Sequence, residues 1–413
     1  MKAAYWTIWG CLIIAALPLA AEDLSGTARQ AATGDAAAVK ALRAAGPAGM
    51  EALLKLASAE PTVAQAPAFA AALDAVCAQK DCAASHLYWY TDLGAASEAA
   101  GRSGKPILSL RLLGRLDEEL SCANSRFFRT VLYANERISR ELRDGFVLHW
   151  QSERPVPKVT IDFGDGRRLE GTVTGNSIHY ILDSNGRLVD ALPGLYGPAA
   201  FLRHLGVAAD EARALAAVLD GAYPGRLAKY HQERIASQTL ELKADLRRAG
   251  LEAPAAPGVW QGPGSPTAAA ASRLASSKSS VEMPLLRVLL PDLGVAEMGN
   301  PKLTAIAELH AADARLDPAS RRLLLAKGGA WVKGEGKEWP LVRFEEKIAE
   351  DTVRNEYLFH NQIHSWLSRV YEAPDLAAFD ERVYDKLFLT PASDPWLGLG
   401  PSEVYSVLTP AGR

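Results

Sequence analysis

Cys122 is the residue whose type and local sequence best suit nucleophilic chemistry. Ser121 could cap a helix and place Cys122 in its first turn. The helix dipole, with Arg126 and Arg129 one and two turns further on, would then stabilise the reactive thiolate. A buried, inert thiol is the alternative, because cysteines outside disulfides are among the most buried residues. The sequence therefore makes Cys122 a candidate catalytic residue without deciding between the two.

Cys77 and Cys82 enclose the short sequence Ala-Gln-Lys-Asp. This spacing predicts a disulfide that closes a small loop, which would leave Cys122 as the odd thiol. Sequence alone does not determine connectivity. Cys122 could instead pair with Cys77 or Cys82, and either of these could act as a remote resolving thiol.

His360 and His364 are four residues apart in a helical pattern, and Glu356 lies four residues earlier. This spacing places all three on one helix face, where paired histidines can share a metal ion. The pattern is not a His-Glu-x-x-His motif, and no further ligand can be named from sequence. Ile363 and Leu367 beside them favour a packing face with structural histidines. The sequence therefore assigns no metal site and leaves these three side chains as candidates.

The elements that would position Cys122 follow from the hydrophobic pattern. Helical periodicity predicts one helix over 121–143, and a second helix closes the region over 196–205. The composition Asp-Ser-Asn-Gly predicts a turn at 183–186, which joins the last two strands in a hairpin. Short apolar runs predict strands at 105–110, 146–150, 177–182 and 187–194.

This order of strand, helix, strand, hairpin and helix resembles the core of the thioredoxin superfamily. The resemblance includes a strand ending in Asp183, an Asn-Gly turn, and a strand ending in Pro193 and Gly194. It covers about a quarter of the chain. It implies an α/β fold, a three-layer sandwich, for the central domain, flanked by mainly α-helical segments.

The chain departs from that family at three places. The family's Cys-x-x-Cys is here Cys122-Ala-Asn-Ser125, so the local resolving thiol is missing. The cis-proline before the third strand is also missing, because the chain has Thr-Gly-Asn-Ser at 174–177. Over 154–175 the alternating pattern predicts an inserted β-hairpin where the family has a helix. These departures argue against ordinary disulfide reductase or oxidase activity.

The resemblance also suggests a substrate groove beside Cys122. Four polar side chains would line this groove as binding residues: Ser125, Asn176, Ser177 and His179. Asn176 and Ser177 would then face Cys122 across a small polar pocket.

The first residues predict export. Met1 and Lys2 precede an uncharged, apolar run that ends in small residues by position 21, as in a secretory signal peptide. An uncleaved membrane anchor is the alternative, because the run approaches the ~20 residues that span a bilayer. Export implies a periplasmic or secreted protein in an oxidising compartment. A net charge of −3 does not favour a nucleic-acid partner.

The 413 residues predict two or three domains at ~100–200 residues each. Residues 251–283 are rich in Ala, Pro, Gly and Ser, which is typical of a linker. The predicted organisation is a signal peptide at 1–21, an N-terminal helical region at 22–85, a thioredoxin-like domain with an inserted hairpin at 86–206, a helical extension at 207–250 with a break near 223–225, the linker, and a C-terminal mainly helical domain at 284–413.

The favoured interpretation is an exported, non-catalytic binding or scaffold protein with an unidentified protein partner and no cofactor. A covalent haem site is disfavoured because Cys-x-x-Cys-His is absent from the sequence. One alternative is a single-thiol oxidoreductase or peroxidase that uses Cys122. The other is a metal-binding protein that uses the C-terminal helix.

Overall fold

The computed structural model describes residues 23–172, 175–251, 301–327 and 338–394. The predicted signal peptide and nearly all of the predicted linker lie outside the described residues. The described chain is a mixture of α and β structure, with helical segments before and after a small sheet, as the sequence predicted. None of the described helices combines the length and the apolarity needed to cross a bilayer.

Six strands form two sheets in the part of the chain that the structure describes. The larger sheet has the order β2-β1-β5-β6, in which β1 is parallel to β2, and β5 is antiparallel to both β1 and β6. Every residue of β1, β5 and β6 is buried, because both faces of this sheet are covered. The strand bounds are β1 Ile107–Leu113, β2 Val147–Arg154, β3 Lys158–Asp162, β4 Arg168–Thr172, β5 Ser177–Leu182 and β6 Leu188–Pro193.

The β5–β6 turn is held by the side chain of Asp183. Its Oδ1 accepts hydrogen bonds from the backbone N–H groups of Asn185 and Arg187, each at 2.9 Å. Gly186 has φ +83°, a left-handed conformation that glycine adopts without strain. This turn fixes the register in which β6 presents its side chains.

Sixteen α-helices surround the sheets within the described ranges. The N-terminal set is α1 Ser25–Ala32, α2 Ala36–Ala44, α3 Pro47–Ala59, α4 Pro61–Ala64, α5 Pro67–Cys77 and α6 Cys82–Ser85. The central set is α7 Leu93–Ser103, α8 Ala123–Phe127, α9 Glu136–Gly145, α10 Pro198–Ala216 and α11 Tyr223–Arg248. The C-terminal set is α12 Pro301–Leu309, α13 Pro318–Lys327, α14 Glu338–Arg354, α15 Asn361–Leu367 and α16 Leu376–Arg382.

The single helix predicted over 121–143 is wrong. α8 continues into a π-helical turn, Phe128–Leu132, and the chain then breaks before α9. Asn135 ends the break, because its Oδ1 accepts hydrogen bonds from the N–H groups of Arg137 and Ile138, both at 3.1 Å. An asparagine in this position begins a new helix, and periodicity alone does not reveal it.

The break predicted near 223–225 is also displaced. α10 runs without interruption through the predicted boundary at 206, and the chain leaves it only after Ala216. Pro224 lies in the first turn of α11, where a missing N–H is tolerated. The proline therefore marks the start of a helix rather than the joint between two.

The N-terminal helices have a hydrophobic core of their own. It contains Leu42, Leu53, Leu73 and Val76 among many alanines, whose small side chains let short helices pack closely. The Cys77–Cys82 disulfide belongs to this core. The structure thus contains the disulfide loop that the spacing predicted.

The described part of the C-terminal region shares one hydrophobic core with the larger sheet, although the sequence predicted residues 284–413 as a domain of their own. The backbone N–H of Gly197 donates to Thr352 Oγ1 at 2.7 Å, and Asn355 Nδ2 donates to the carbonyl of Leu195 at 2.6 Å. A Cβ on Gly197 would overlap the backbone of Asp313. The C-terminal helices are therefore packed directly on the sheet and the loop after β6.

β3 and β4 form a separate antiparallel hairpin at the place where the sequence predicted an insertion. Val159, Ile161, Phe163 and Leu169 are exposed on it. This hairpin lies in the connection between β2 and β5.

Candidate metal centre

The C-terminal histidines lie on one continuous helical segment. α14 passes through a π-helical turn, Asn355–His360, directly into α15. Glu356, His360 and His364 follow one another at intervals of one turn, and all three are buried. The helix face that carries these three side chains, as the sequence predicted, therefore points towards the hydrophobic core.

Asp190 on β6 faces this helix with a buried carboxylate. Its Oδ1 accepts hydrogen bonds from the backbone N–H of Ala191 at 2.8 Å and from His360 Nε2 at 3.0 Å. Its Oδ2 accepts a hydrogen bond from the hydroxyl of Tyr230 at 2.7 Å. Three donors hold the carboxylate in place, so a charged group can remain in the core.

Asp190, His360 and His364 converge on one point. Each offers a potential ligand atom, and the three atoms lie within 4.8 Å of one another. The Nδ1 of His364 is 3.8 Å from Asp190 Oδ1. Ligand atoms that share one ion at ~2.0–2.1 Å are a little more than 3 Å apart, so these separations suit a common metal ion. Within the described ranges, this is the one group of three or more His, Cys, Asp or Glu side chains with such spacing.

His231 on α11 contacts the same group. Its Nδ1 is 2.8 Å from the Nδ1 of His364, and its Nε2 is 3.0 Å from the backbone carbonyl oxygen of Val189. Sequence analysis missed both His231 and Asp190. Neither has a spacing partner nearby in the chain, and His231 is 133 residues from His364, so only the tertiary fold brings them together.

Burial determines the charge of these imidazoles. It lowers the pKa of His231 to about 4 and the pKa of His364 well below its ordinary value. Burial also lowers the pKa of His360, although Asp190 opposes the shift. Near neutral pH all three rings are therefore neutral, which is the form that binds metal ions.

Hydrogen bonding within the described residues leaves part of the group unsatisfied. His360 Nδ1 and His364 Nε2 are buried and have no hydrogen-bond partner there. Buried side-chain nitrogen atoms usually have a partner, so a cluster with two exceptions on adjacent rings is unusual. The ring centres of His360 and His364 are only 4.0 Å apart.

Glu356 is not a member of the converging group, although the sequence named it as a candidate beside the two histidines. Its Oε2 lies 3.2 Å from Nε2 of His204 on α10. Asp190, which comes from the sheet, takes the place that Glu356 had in the prediction. Glu356 remains a second buried carboxylate one turn from His360.

Cys122 is fully buried at the start of α8. It is itself the N-cap, and its sulfur accepts a hydrogen bond from the backbone N–H of Ser125 at 3.4 Å. The predicted placement, with Ser121 as the cap and Cys122 in the first turn, is therefore shifted by one residue. The alternative disulfides are not formed, because Cys77 and Cys82 are joined to each other.

The predicted binding residues lie in α8, just before β5 or on β5, but all of them are buried: Ser125, Asn176, Ser177 and His179. Ser177 Oγ accepts a hydrogen bond from Asn124 Nδ2 at 2.6 Å, and His179 Nε2 is 2.7 Å from the Tyr133 hydroxyl. These contacts tie the side chains to neighbouring elements rather than to an open groove.

Two C-terminal residues cover Asn176. Its Nδ2 donates to Thr390 Oγ1 at 3.1 Å, and its backbone carbonyl accepts a hydrogen bond from the Tyr384 hydroxyl at 3.4 Å. The polar neighbourhood predicted beside Cys122 is thus closed by the C-terminal part of the same chain.

No family model matches this chain, and neither the curated proteins nor the solved structures include a match. What the protein does is therefore inferred from the geometry of its own residues.

Proposed function

We propose that this protein binds one divalent transition-metal ion, of the zinc type, at Asp190, His360 and His364. The observation that carries the proposal is the convergence of one carboxylate and two imidazoles from β6 and the C-terminal helix within 4.8 Å. Imidazole nitrogen and carboxylate oxygen are typical ligands of zinc and of its neighbours in the first transition row.

An ordinary packing role accounts less well for the same residues. A core histidine that only packs normally uses both ring nitrogens in hydrogen bonds, whereas His360 and His364 each use one among the described residues, and that nitrogen is the one that faces Asp190 or His231. Asp190 and Glu356 also bring two carboxylates into one buried region. A dication there would offset charge that is otherwise costly to bury.

The closed surroundings favour a structural ion. Asp190, His360 and His364 are each at most 1% exposed, and a catalytic centre needs an open position for substrate or water. The ion would join β6 to a helix 170 residues further along the chain. Its role would be to fasten the C-terminal helices to the sheet.

Metal analysis of the purified full chain tests this proposal. Apo-protein prepared with a chelator should take up one equivalent of Zn²⁺, measured by mass spectrometry of the metal. His360→Ala and His364→Ala should each lose it. His86→Ala changes an exposed histidine that precedes β1 in the sequence. This variant is the matched control and should still bind one Zn²⁺ ion. Wild-type protein that retains no metal after dialysis against micromolar Zn²⁺ would contradict the proposal.

A second role is favoured by the sheet itself. We propose that the α/β part is an exported, thioredoxin-like scaffold that binds a protein partner without redox turnover. The order of β1, helix, β2, the β5–β6 hairpin and α10 supports the resemblance. The burial of Cys122 supports the absence of turnover. The Cys77–Cys82 disulfide supports an oxidising compartment.

Thiol labelling of native protein tests the scaffold role. Cys122 should react slowly with an alkylating reagent, and the protein should not turn over a peroxide or a protein disulfide. Rapid labelling below neutral pH, together with turnover that Cys122→Ser abolishes, would favour the single-thiol enzyme instead.

A further inference from the structure

The backbone carbonyl of Val189 determines which ring nitrogen of His231 carries the proton. A backbone carbonyl can only accept a hydrogen bond, so the contact with Val189 requires a proton on His231 Nε2. In a neutral ring the other nitrogen, Nδ1, then carries a lone pair. This lone pair faces His364.

The contact between His231 and His364 therefore has a defined direction. Two nitrogens 2.8 Å apart need one donor and one acceptor, and His231 Nδ1 is the acceptor. His364 must hold its proton on Nδ1 and its lone pair on Nε2. In the same way, His360 donates from Nε2 to Asp190 and keeps its lone pair on Nδ1.

We infer that His231 is the fourth ligand of the proposed metal ion and binds it through Nδ1. This inference rests on the proposed function and goes beyond it, because His231 is 2.8 Å from His364 but is not within 4.8 Å of every atom of the group, so its ring must close on the ion as the ion binds. The complete ligand set would be three imidazole nitrogens and one carboxylate oxygen. Four protein ligands with no open position are typical of a structural zinc site.

The hydrogen bond from His231 Nε2 to Val189 is the support that such a ligand requires. Metal-binding histidines almost always donate the other ring N–H to a carbonyl or carboxylate, which fixes the ring and its tautomer. Tyr230, the preceding residue on α11, supports Asp190 in the same way, because its hydroxyl donates a hydrogen bond to Asp190 Oδ2. α11 therefore contributes one ligand and one supporting group from adjacent positions.

Proton balance is maintained when the ion enters. The proton between His231 and His364 moves from His364 Nδ1 to His364 Nε2, a nitrogen that has no partner among the described residues. The proton that His360 shares with Asp190 moves from Nε2 to Nδ1, which also lacks a partner in the part of the chain that the structure describes. Each ring stays neutral, and each nitrogen that faces the ion gains a free lone pair.

Cobalt substitution of the full chain tests this inference. Wild-type protein loaded with Co²⁺ should show the intense visible bands of four-coordinate cobalt. In His231→Ala these bands should weaken, because water replaces the lost imidazole, and affinity should fall by more than 100-fold. Added imidazole should restore the bands. Tyr230→Phe is the matched control, because losing a supporting hydrogen bond lowers affinity about 10- to 100-fold without changing the ligands.

The outcomes separate the two proposals. If His231→Ala binds Co²⁺ with the wild-type spectrum, His231 is not a ligand, while the site at Asp190, His360 and His364 stands. If wild-type protein itself binds no Co²⁺, the metal site is wrong and His231 only packs against His364. Histidine ¹⁵N shifts give a second readout, because His364 should change tautomer on metal binding in wild-type protein.

Discussion

The buried histidine group and the surroundings of Cys122 differ in how their elements meet. At the histidine group, β6, α11 and the C-terminal helix direct nitrogen and oxygen atoms towards one another from three separate segments. At Cys122, one sulfur caps its own helix, and a C-terminal segment closes the polar neighbourhood next to it. Convergence of distant segments thus identifies the better candidate site, although a thiol is the more reactive type of side chain.

Metal removal should produce the largest change in the free energy of unfolding. If it produced none, the histidine group would no longer be the better candidate site. Zn²⁺ at 1,000 times its dissociation constant should raise the free energy of unfolding by about 4 kcal/mol, because the ion binds only the folded chain. Urea unfolding with Zn²⁺ or with a chelator measures this difference. His364→Leu should show no Zn²⁺ effect. Equal midpoints for wild-type protein in both conditions would remove the structural role of the ion.

Removing the side chain of Tyr384, which covers Asn176, should raise the reactivity of Cys122 without changing metal binding at the histidines. Tyr384→Ala removes a buried aromatic ring and should lower the free energy of unfolding by roughly 3 kcal/mol. Local opening should then speed the alkylation of Cys122 by at least about tenfold. Metal stoichiometry should stay at one, since Tyr384 contacts Asn176 and not the metal group.

Tyr371→Ala is the matched control for that variant, because Tyr371 is 93% exposed. It should leave both stability and the alkylation rate unchanged. If Tyr384→Ala did not change the rate of alkylation, the C-terminal segment would not be what protects Cys122.

A smaller effect is expected where α9 begins. Asn135→Ala removes the side chain that accepts two backbone hydrogen bonds, which should lower the free energy of unfolding by about 1 kcal/mol. Thermal unfolding measures the loss, and Asn135→Asp should recover most of it. Metal stoichiometry is again expected to be one, so a loss of metal here would mean that the site responds to any destabilisation.

The smallest effect is a pH dependence at His310. Hydrogen bonds to Asp313 and Asp245 raise the pKa of His310 to about 9, so this ring is charged at neutral pH. Its contribution to stability is complete below the ordinary value of ~6.5 and is lost as the pH rises through about 9. Partial exposure keeps the contribution small. Unfolding curves at pH 6 and pH 10 should differ less in His310→Gln than in wild-type protein.

Local sequence was sufficient for the elements with strong patterns. The apolar runs predicted the positions of β1, β5 and β6, and the Asp-Ser-Asn-Gly turn predicted the hairpin of β5 and β6. The spacing of His360 and His364 gave their shared face, because it depends only on helix geometry. The break at Asn135 was missed, because a single capping side chain starts a new helix while the apolar spacing continues across the break.

Long-range contacts could not be predicted in the same way. Asp190 looks like an ordinary polar residue within a strand until the C-terminal helix is packed against it. His231 is an isolated histidine on α11 until its ring meets His364. The C-terminal helices were predicted to form a separate domain, because a region rich in Ala, Pro, Gly and Ser precedes them in the sequence. Only the shared core reveals that they complete the sheet.

The contact between Asp190 and His360 can form only after a long delay during translation, because the two residues are 170 positions apart. At ~5–20 residues per second, the 170 residues between them take on the order of ten to thirty seconds to make. Throughout that interval β6 has been translated, but the helix that buries Asp190 does not yet exist. The nascent chain must therefore avoid aggregation through the exposed strand β6 until the last quarter of the chain has been synthesised.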